Sequence, residues 1–168
     1  MNTEGTKLVT FRLADDLFAA DIFAVERVLR YQTPRTVPDV PPWIEGVIEY
    51  QARVVPVVNL RRRFELPELE ASGETRIVIL NAKGEWIGIV VDSVLEVSTV
   101  DGAQISPPPA FFRGLAGEFL RGIVRRGDSE RLVIVLDVEQ LLSATERIAL
   151  QLEQARGTPT AGSATVDA

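Results

Sequence analysis

The chain has 168 residues, a formal net charge of -6, 46% hydrophobic and 25% charged side chains, and neither cysteine nor histidine, a globular composition for one domain or two small intertwined halves. The missing residue types exclude disulfides, thiol nucleophiles, Cys/His zinc sites, imidazole general bases and a phosphohistidine acceptor. The acidity argues against nucleic acid and anionic membranes as partners, and no apolar run approaches the ~18 residues of a membrane span, so a cytoplasmic protein without membrane insertion is expected.

Valine and isoleucine, 32 residues together, fall in short runs broken by Gly, Pro and Asp, which predicts a mainly β chain. Lys7–Leu13 alternates, breaks at Ala14-Asp15-Asp16 and resumes over Leu17–Ala20, the pattern of a hairpin. Asp21 and Val25-Glu-Arg-Val28 follow, then a Pro-rich crossing over Thr33–Pro42, a Gly-centred strand at Ile44-Glu-Gly46-Val-Ile48, an apolar strand from Arg53 and a short helix over Leu60–Leu66. Leu66–Glu74 is polar and acidic and reads as a crossing. A second hairpin runs from Thr75 to Asn81 and from Glu85 to Val91 around Ala82-Lys83-Gly84. Asp92, Val94-Leu-Glu-Val97, a Pro-rich Ile105–Pro109, Leu120-Arg-Gly122-Ile-Val124 and an apolar strand from Arg131 come next. A helix opens at Asp137 with an Asp137-x-x-Gln140 capping pattern, with Val138, Leu141, Leu142, Ile148, Ala149 and Leu152 on one face. Ser143-Ala-Thr-Glu146 is a second capping box that marks a break. The tail, 157–168, has almost no apolar bulk and is expected to be disordered.

The order of features after the first hairpin repeats after the second, so the chain reads as two similar β-units of about five strands each. The expected organisation is one domain over 1–156, with units at about 7–66 and 75–137, strand pairing open to sharing between them, and a C-terminal helix.

Little in these residues assembles chemistry. Asp15-Asp16 is the only beginning of a phosphoacceptor or Mg²⁺ cluster, but the lysines, Lys7 and Lys83, lie in or beside hairpins, which favours turn residues. Asp21, Asp92 and Asp137 sit at strand ends, where Asp turns or caps the backbone. Arg61-Arg62-Arg63 suits an acidic partner or a solvated helix face beside Glu65, Glu68 and Glu70. Trp86 reads as core, and Trp43, in a crossing, as a candidate interface residue. Two small β-units without chemistry suit a protein-binding module, with strand edges and the seam between units as docking surfaces.

The run Ile44–Phe64, together with Ile87–Val97 and Leu132–Asp137, resembles the central motifs of the CheW family of chemotaxis adaptors, over roughly residues 7–145. The resemblance implies two five-stranded SH3-like barrels and a scaffold without enzymatic activity or cofactors. Its implied partners are the regulatory domain of a CheA-type histidine kinase and the cytoplasmic tip of a methyl-accepting chemoreceptor. It further implies a receptor groove near Val25, Arg27, Gly46 and Gln51, and a kinase side near Val91, Asp92 and Val94. Three positions depart from the family's pattern: Arg27 replaces an acidic residue, Gln51-Ala52 an Arg-Gly pair, and Asn59 an Asp. The acidic residue and the arginine are thought to pair in the family, so receptor recognition is expected to be altered. An adaptor for a pilus or gliding-motility system is the related alternative. From other classes, a small-barrel nucleic-acid binder requires a basic aromatic face, and a carboxylate enzyme would have to use Asp15, Asp16 or Asp92.

Overall fold

The computed structural model of the chain describes residues 5–107, 119–126 and 131–143. Two hairpins organise it. β1 (Thr6–Leu13) and β2 (Asp16–Asp21) turn at Ala14, with φ 58°, and β6 (Arg76–Ala82) and β7 (Glu85–Val91) turn at Lys83 and Gly84, with φ 56° and 83°. Both hairpins carry consecutive buried residues, over 8–11, 17–20 and 77–80. Strands apolar on both faces need cover on both, which an interior place in a packed sheet supplies.

The remaining strands are β3 (Val25–Arg30), β4 (Ile44–Tyr50), β5 (Arg53–Asn59), β8 (Ser93–Val100), β9 (Leu120–Arg126) and β10 (Arg131–Leu136). They form two five-stranded sheets, ordered β8-β1-β2-β10-β9 and β3-β6-β7-β5-β4. Each half of the chain therefore lends its hairpin to the sheet built mainly by the other half. The structural units do not coincide with the contiguous segments 7–66 and 75–137: their pairing is shared, through parallel ladders between β2 and β10 and between β5 and β7.

Each sheet curls in an SH3-like fold whose edge strands do not pair with each other and are linked only through one isolated bridge. Beyond the edge strand β3, the chain returns so that Arg35 and Val47 exchange N–H···O bonds of 2.8 and 2.9 Å across to β4. Beyond β8, Ser106 and Ile123 do the same across to β9, at 2.9 and 2.8 Å. Gly46 and Gly122 precede these bridges, and a Cβ on either would fall inside the carbonyl oxygen of Arg35 or Ser106. Gly46 also has φ 153°, which side-chain-bearing residues rarely adopt.

Alternation along the strands splits the apolar residues into three cores. Ile48, Val55, Val57, Ile77 and Ile79 fill the second barrel, and Leu8, Leu17, Ala19, Val124, Val133 and Val135 the first. The opposite faces meet in a larger common core that includes Phe11, Phe18, Val78, Leu80, Ile89, Val91 and Phe119. The repeat extends to the strand ends. Asn59 N–H donates to the Trp43 carbonyl and Asp137 N–H to that of Phe119, both at 2.7 Å. The Asn59 side chain then caps α1 (Leu60–Arg63) by accepting from Arg62 N–H at 3.1 Å. Asp137 likewise accepts from Gln140 N–H at 3.1 Å and caps α2, whose described part is 138–143. The second capping box, the outer part of the helix face and the tail lie outside the described residues.

Candidate functional site

At one end of the second barrel the inward positions of its strands finish in large side chains. Tyr50 and Arg53 are register partners, two residues beyond inward-facing Ile48 and Val55. The rings of Tyr50 and Trp86 lie 5.6 Å apart, tilted by 45°, and both side chains pack on the barrel core. The Arg53 guanidinium sits 3.8 Å over the Trp86 ring and donates to the Gly84 carbonyl at 2.7 Å. That of Arg27 sits 5.9 Å over the Tyr50 ring. Gln51 and Ala52, with φ 52° and 64°, make the two-residue turn after Tyr50, and Gln51 Nε2 donates to Tyr50 Oη at 3.2 Å. Two left-handed residues suit the twist of a tight hairpin, and Ala52 there carries the Cβ penalty that a glycine would escape.

Arg27 and Gln51 are thus brought to one exposed patch with Tyr50 between them. The other two residues named for the receptor groove are elsewhere. Val25 is half-buried against the common core, and Gly46 is buried at the ring closure.

Of the residues expected to face the kinase, Val91 is fully buried and Val94 half-buried, both against the common core. Asp92 ties the barrels together. Its Oδ2 accepts from Arg61 Nη2 at 2.7 Å and from the Ala14 N–H of the β1–β2 turn at 2.8 Å, and Oδ1 lies 3.3 Å from Arg61 Nε. The side chains of Arg61 and Asp92 are only 12% and 11% exposed. Burial alone would raise the Asp92 carboxyl, but the hydrogen bonds from Arg61 and Ala14 and the charges of Arg61 and Arg12 hold it below its ordinary range.

A cleft of about 310 Å³ lies beside this tie, between α1 and the segment that follows it. Glu45 organises its floor by accepting from Tyr31 Oη at 2.7 Å and from Asn59 Nδ2 at 3.1 Å. Burial, then the bond to Glu45 and its charge, push the Tyr31 phenol up to about 12. Asn59 is explained here: its amide donates to Glu45, where an Asp would set carboxylate against carboxylate. The three arginines of α1 are engaged inside the molecule. Arg61 holds Asp92, Arg62 pairs with Glu68 at 2.6 Å, and Arg63 stacks on Trp43 and Phe119 at 5.3 and 4.3 Å. Trp43 is accordingly half-buried, packed against the common core.

Asp15 is an exposed turn residue and Asp16 the exposed first residue of β2, and among the described residues no group of three or more Asp, Glu, His or Cys could hold a metal. Asp21 caps a 3-10 turn by accepting from Phe23 N–H at 2.9 Å. Phe23 itself is 91% exposed, beside a cleft of about 510 Å³ between the barrels that Asp21, Lys83, Arg121 and Asp137 help to line. Neither Phe23 nor the Arg53–Trp86 stack stands out in the sequence. The first is one apolar residue at a strand end, and the second joins β5 and β7, which neighbour each other through a long-range parallel pairing with no local signature.

Among the described residues no helix is long and apolar enough to cross a membrane. A family model for the CheW-like domain matches residues 7–146. The chain is 35% identical over 150 residues to a chemotaxis protein CheW from Treponema pallidum, covering 87% of each. It is 33% identical over 144 residues to that of Klebsiella aerogenes, covering 86% of each. The solved structure of the scaffolding protein TtCheW from Thermoanaerobacter tengcongensis aligns with a TM-score of 0.72 at 32% identity, over 79% of this chain and 88% of that one.

Proposed function

Because the chain belongs to the CheW-like domain family, we propose that it is an adaptor coupling the cytoplasmic tips of methyl-accepting chemoreceptors to the regulatory domain of a CheA-type histidine kinase. In this reading it works in the cytoplasm, needs no cofactor, and catalyses nothing itself. The observation that carries the reading is a family match over residues 7–146, which takes in every described strand but for Thr6 at the start of β1.

The receptor is assigned to the seam between the barrels and the adjoining surface of Arg27 and Gln51, with Val25 and Gly46 behind it as shaping residues. The kinase is assigned to the neighbourhood of Val91, Asp92 and Val94. Val91 and Asp92 hold the shape there, while Val94 leads into the exposed Leu95 and Val97, 48% and 54% accessible. Such apolar side chains with a polar surround suit the centre of a protein interface. A related system, pilus or gliding motility, is the second reading. It is favoured by the loss of both ends of the usual charge pair, now Arg27 and Gln51.

The test is a bridging assay. Receptor-tip hairpins on a solid support should retain a CheA-type kinase from the same genome only when this chain is present. Kinase retention that ignores the chain refutes the adaptor reading. Arg27→Glu with Gln51→Arg should change receptor affinity more than stability, and equal affinity in variant and parent would remove the claim of altered recognition.

A further inference from the structure

In a chain of net charge -6, the end of the second barrel presents two exposed arginines, Arg27 and Arg53, that form no ion pair among the described residues. Each is held on an aromatic face, Arg27 over Tyr50 at 5.9 Å and Arg53 over Trp86 at 3.8 Å. A guanidinium laid on a ring keeps its N–H donors in the plane, directed past the ring edge, where a carboxylate can take two of them at once. The rings in turn are fixed: Gln51 holds Tyr50 Oη, Tyr50 packs on Trp86, and the Gly84 carbonyl anchors Arg53. This is a preset pair of anion-binding forks over an apolar floor of Tyr50 and Trp86. Nearby acidic groups leave the forks open. Glu26 accepts from Asn81, and Glu49 lies on the opposite face of β4 from Tyr50.

We propose that this barrel mouth is a docking site for an acidic segment of a protein partner, with Arg27 and Arg53 each taking a carboxylate and Tyr50 and Trp86 supplying the apolar floor. The identity of that partner, the chemoreceptor tip, rests on the adaptor reading. The chemistry rests on the four stacked side chains.

The experiment is a calorimetric titration of the full chain with a receptor-tip hairpin from the same genome, at low and at high salt. Parent, Arg27→Gln, Arg53→Gln and the double variant are compared, with thermal melts of each as a folding control. Each single substitution should weaken binding about tenfold, the size of one charge-assisted contact, and the double variant should lose most of the salt dependence. Arg27→Lys with Arg53→Lys, which keeps the charge without the fork, should fall between parent and double variant. Equal binding by parent and double variant overturns the mouth as a docking site and leaves the adaptor reading standing. A chain that binds neither the tip nor the kinase domain overturns the adaptor reading and this assignment with it. A fluorescent single-stranded oligonucleotide that binds the parent and not the double variant would replace the acidic segment by stacked bases.

Discussion

Replacing Asp92 by alanine should loosen the join between the barrels. The substitution removes the acceptor of Ala14 N–H in the first sheet and leaves Arg61, whose side chain is only 12% exposed, with the Pro67 carbonyl but no carboxylate. Removing one partner of a buried ion pair costs about 3–5 kcal/mol. Because water still reaches a tenth of both side chains, the low end applies, about 3 kcal/mol. For a domain of this size that lowers the melting temperature by roughly 10 °C. Urea unfolding of the parent, Asp92→Ala, Arg61→Ala and the double variant should give a coupling of about 2 kcal/mol between the two sites. The pH dependence has a definite sign. The folded Asp92 carboxyl is depressed, so its contribution is complete above the ordinary carboxylate range and is lost as pH falls through its folded value. A cost under about 1 kcal/mol with additive single effects would refute the reasoning and make Arg61–Asp92 a screened surface contact.

Other expectations follow from the same geometry. Gly46→Ala and Gly122→Ala should each destabilise by about 2 kcal/mol or more, because either Cβ meets the carbonyl that closes its ring; denaturant midpoints measure this, and parent-like values would mean the bridges shift freely. Asn59→Asp should cost about 1–2 kcal/mol at neutral pH by facing Glu45 with a second carboxylate, and recover as acid lets the pair share a proton; melts across that range check it, and a variant that only loses stability on acidification contradicts it. The Tyr31 phenol is raised from 10.0 to about 12, so its bond to Glu45 contributes fully below pH 10 and is lost between there and about 12. A Tyr31→Phe variant should lack that alkaline step.

Much of the architecture was legible in local pattern. The hairpins at 7–20 and 75–91 show as alternation and continuous apolar runs punctuated by turn residues, and the caps at Asn59 and Asp137 sit where a strand gives way to a helix. The repeat of Ile44-Glu-Gly46 in Leu120-Arg-Gly122 is legible as sequence, and the structure supplies its reason, a carbonyl crossing at the same offset. The exchange of hairpins is not legible, because the ladders between 17–19 and 133–135 and between 57–59 and 88–90 are long-range parallel pairings with no local signature. The one hint was that both hairpins are apolar on both faces. The candidate site was half legible. Arg27 and Gln51 stand out by comparison with the family pattern, yet their meeting through Tyr50 depends on the opposite edges β3 and β4 curling together, and the stacking of Arg53 on Trp86 depends on the long-range parallel pairing of β5 with β7. Arg61-Arg62-Arg63 looked like an offered basic patch and is instead consumed by Asp92, Glu68 and two aromatic rings.

The central claim is that these two interlocked barrels are a coupling module for a histidine kinase. Its most direct test is a calorimetric titration of the chain against the CheW-like domain of a CheA-type kinase from the same genome. Binding at micromolar strength or better, weakened by Leu95→Asp or Val97→Asp with melting unchanged, is the predicted result. Silence with every such domain in that genome would contradict the claim and leave a two-barrel binding module with another partner.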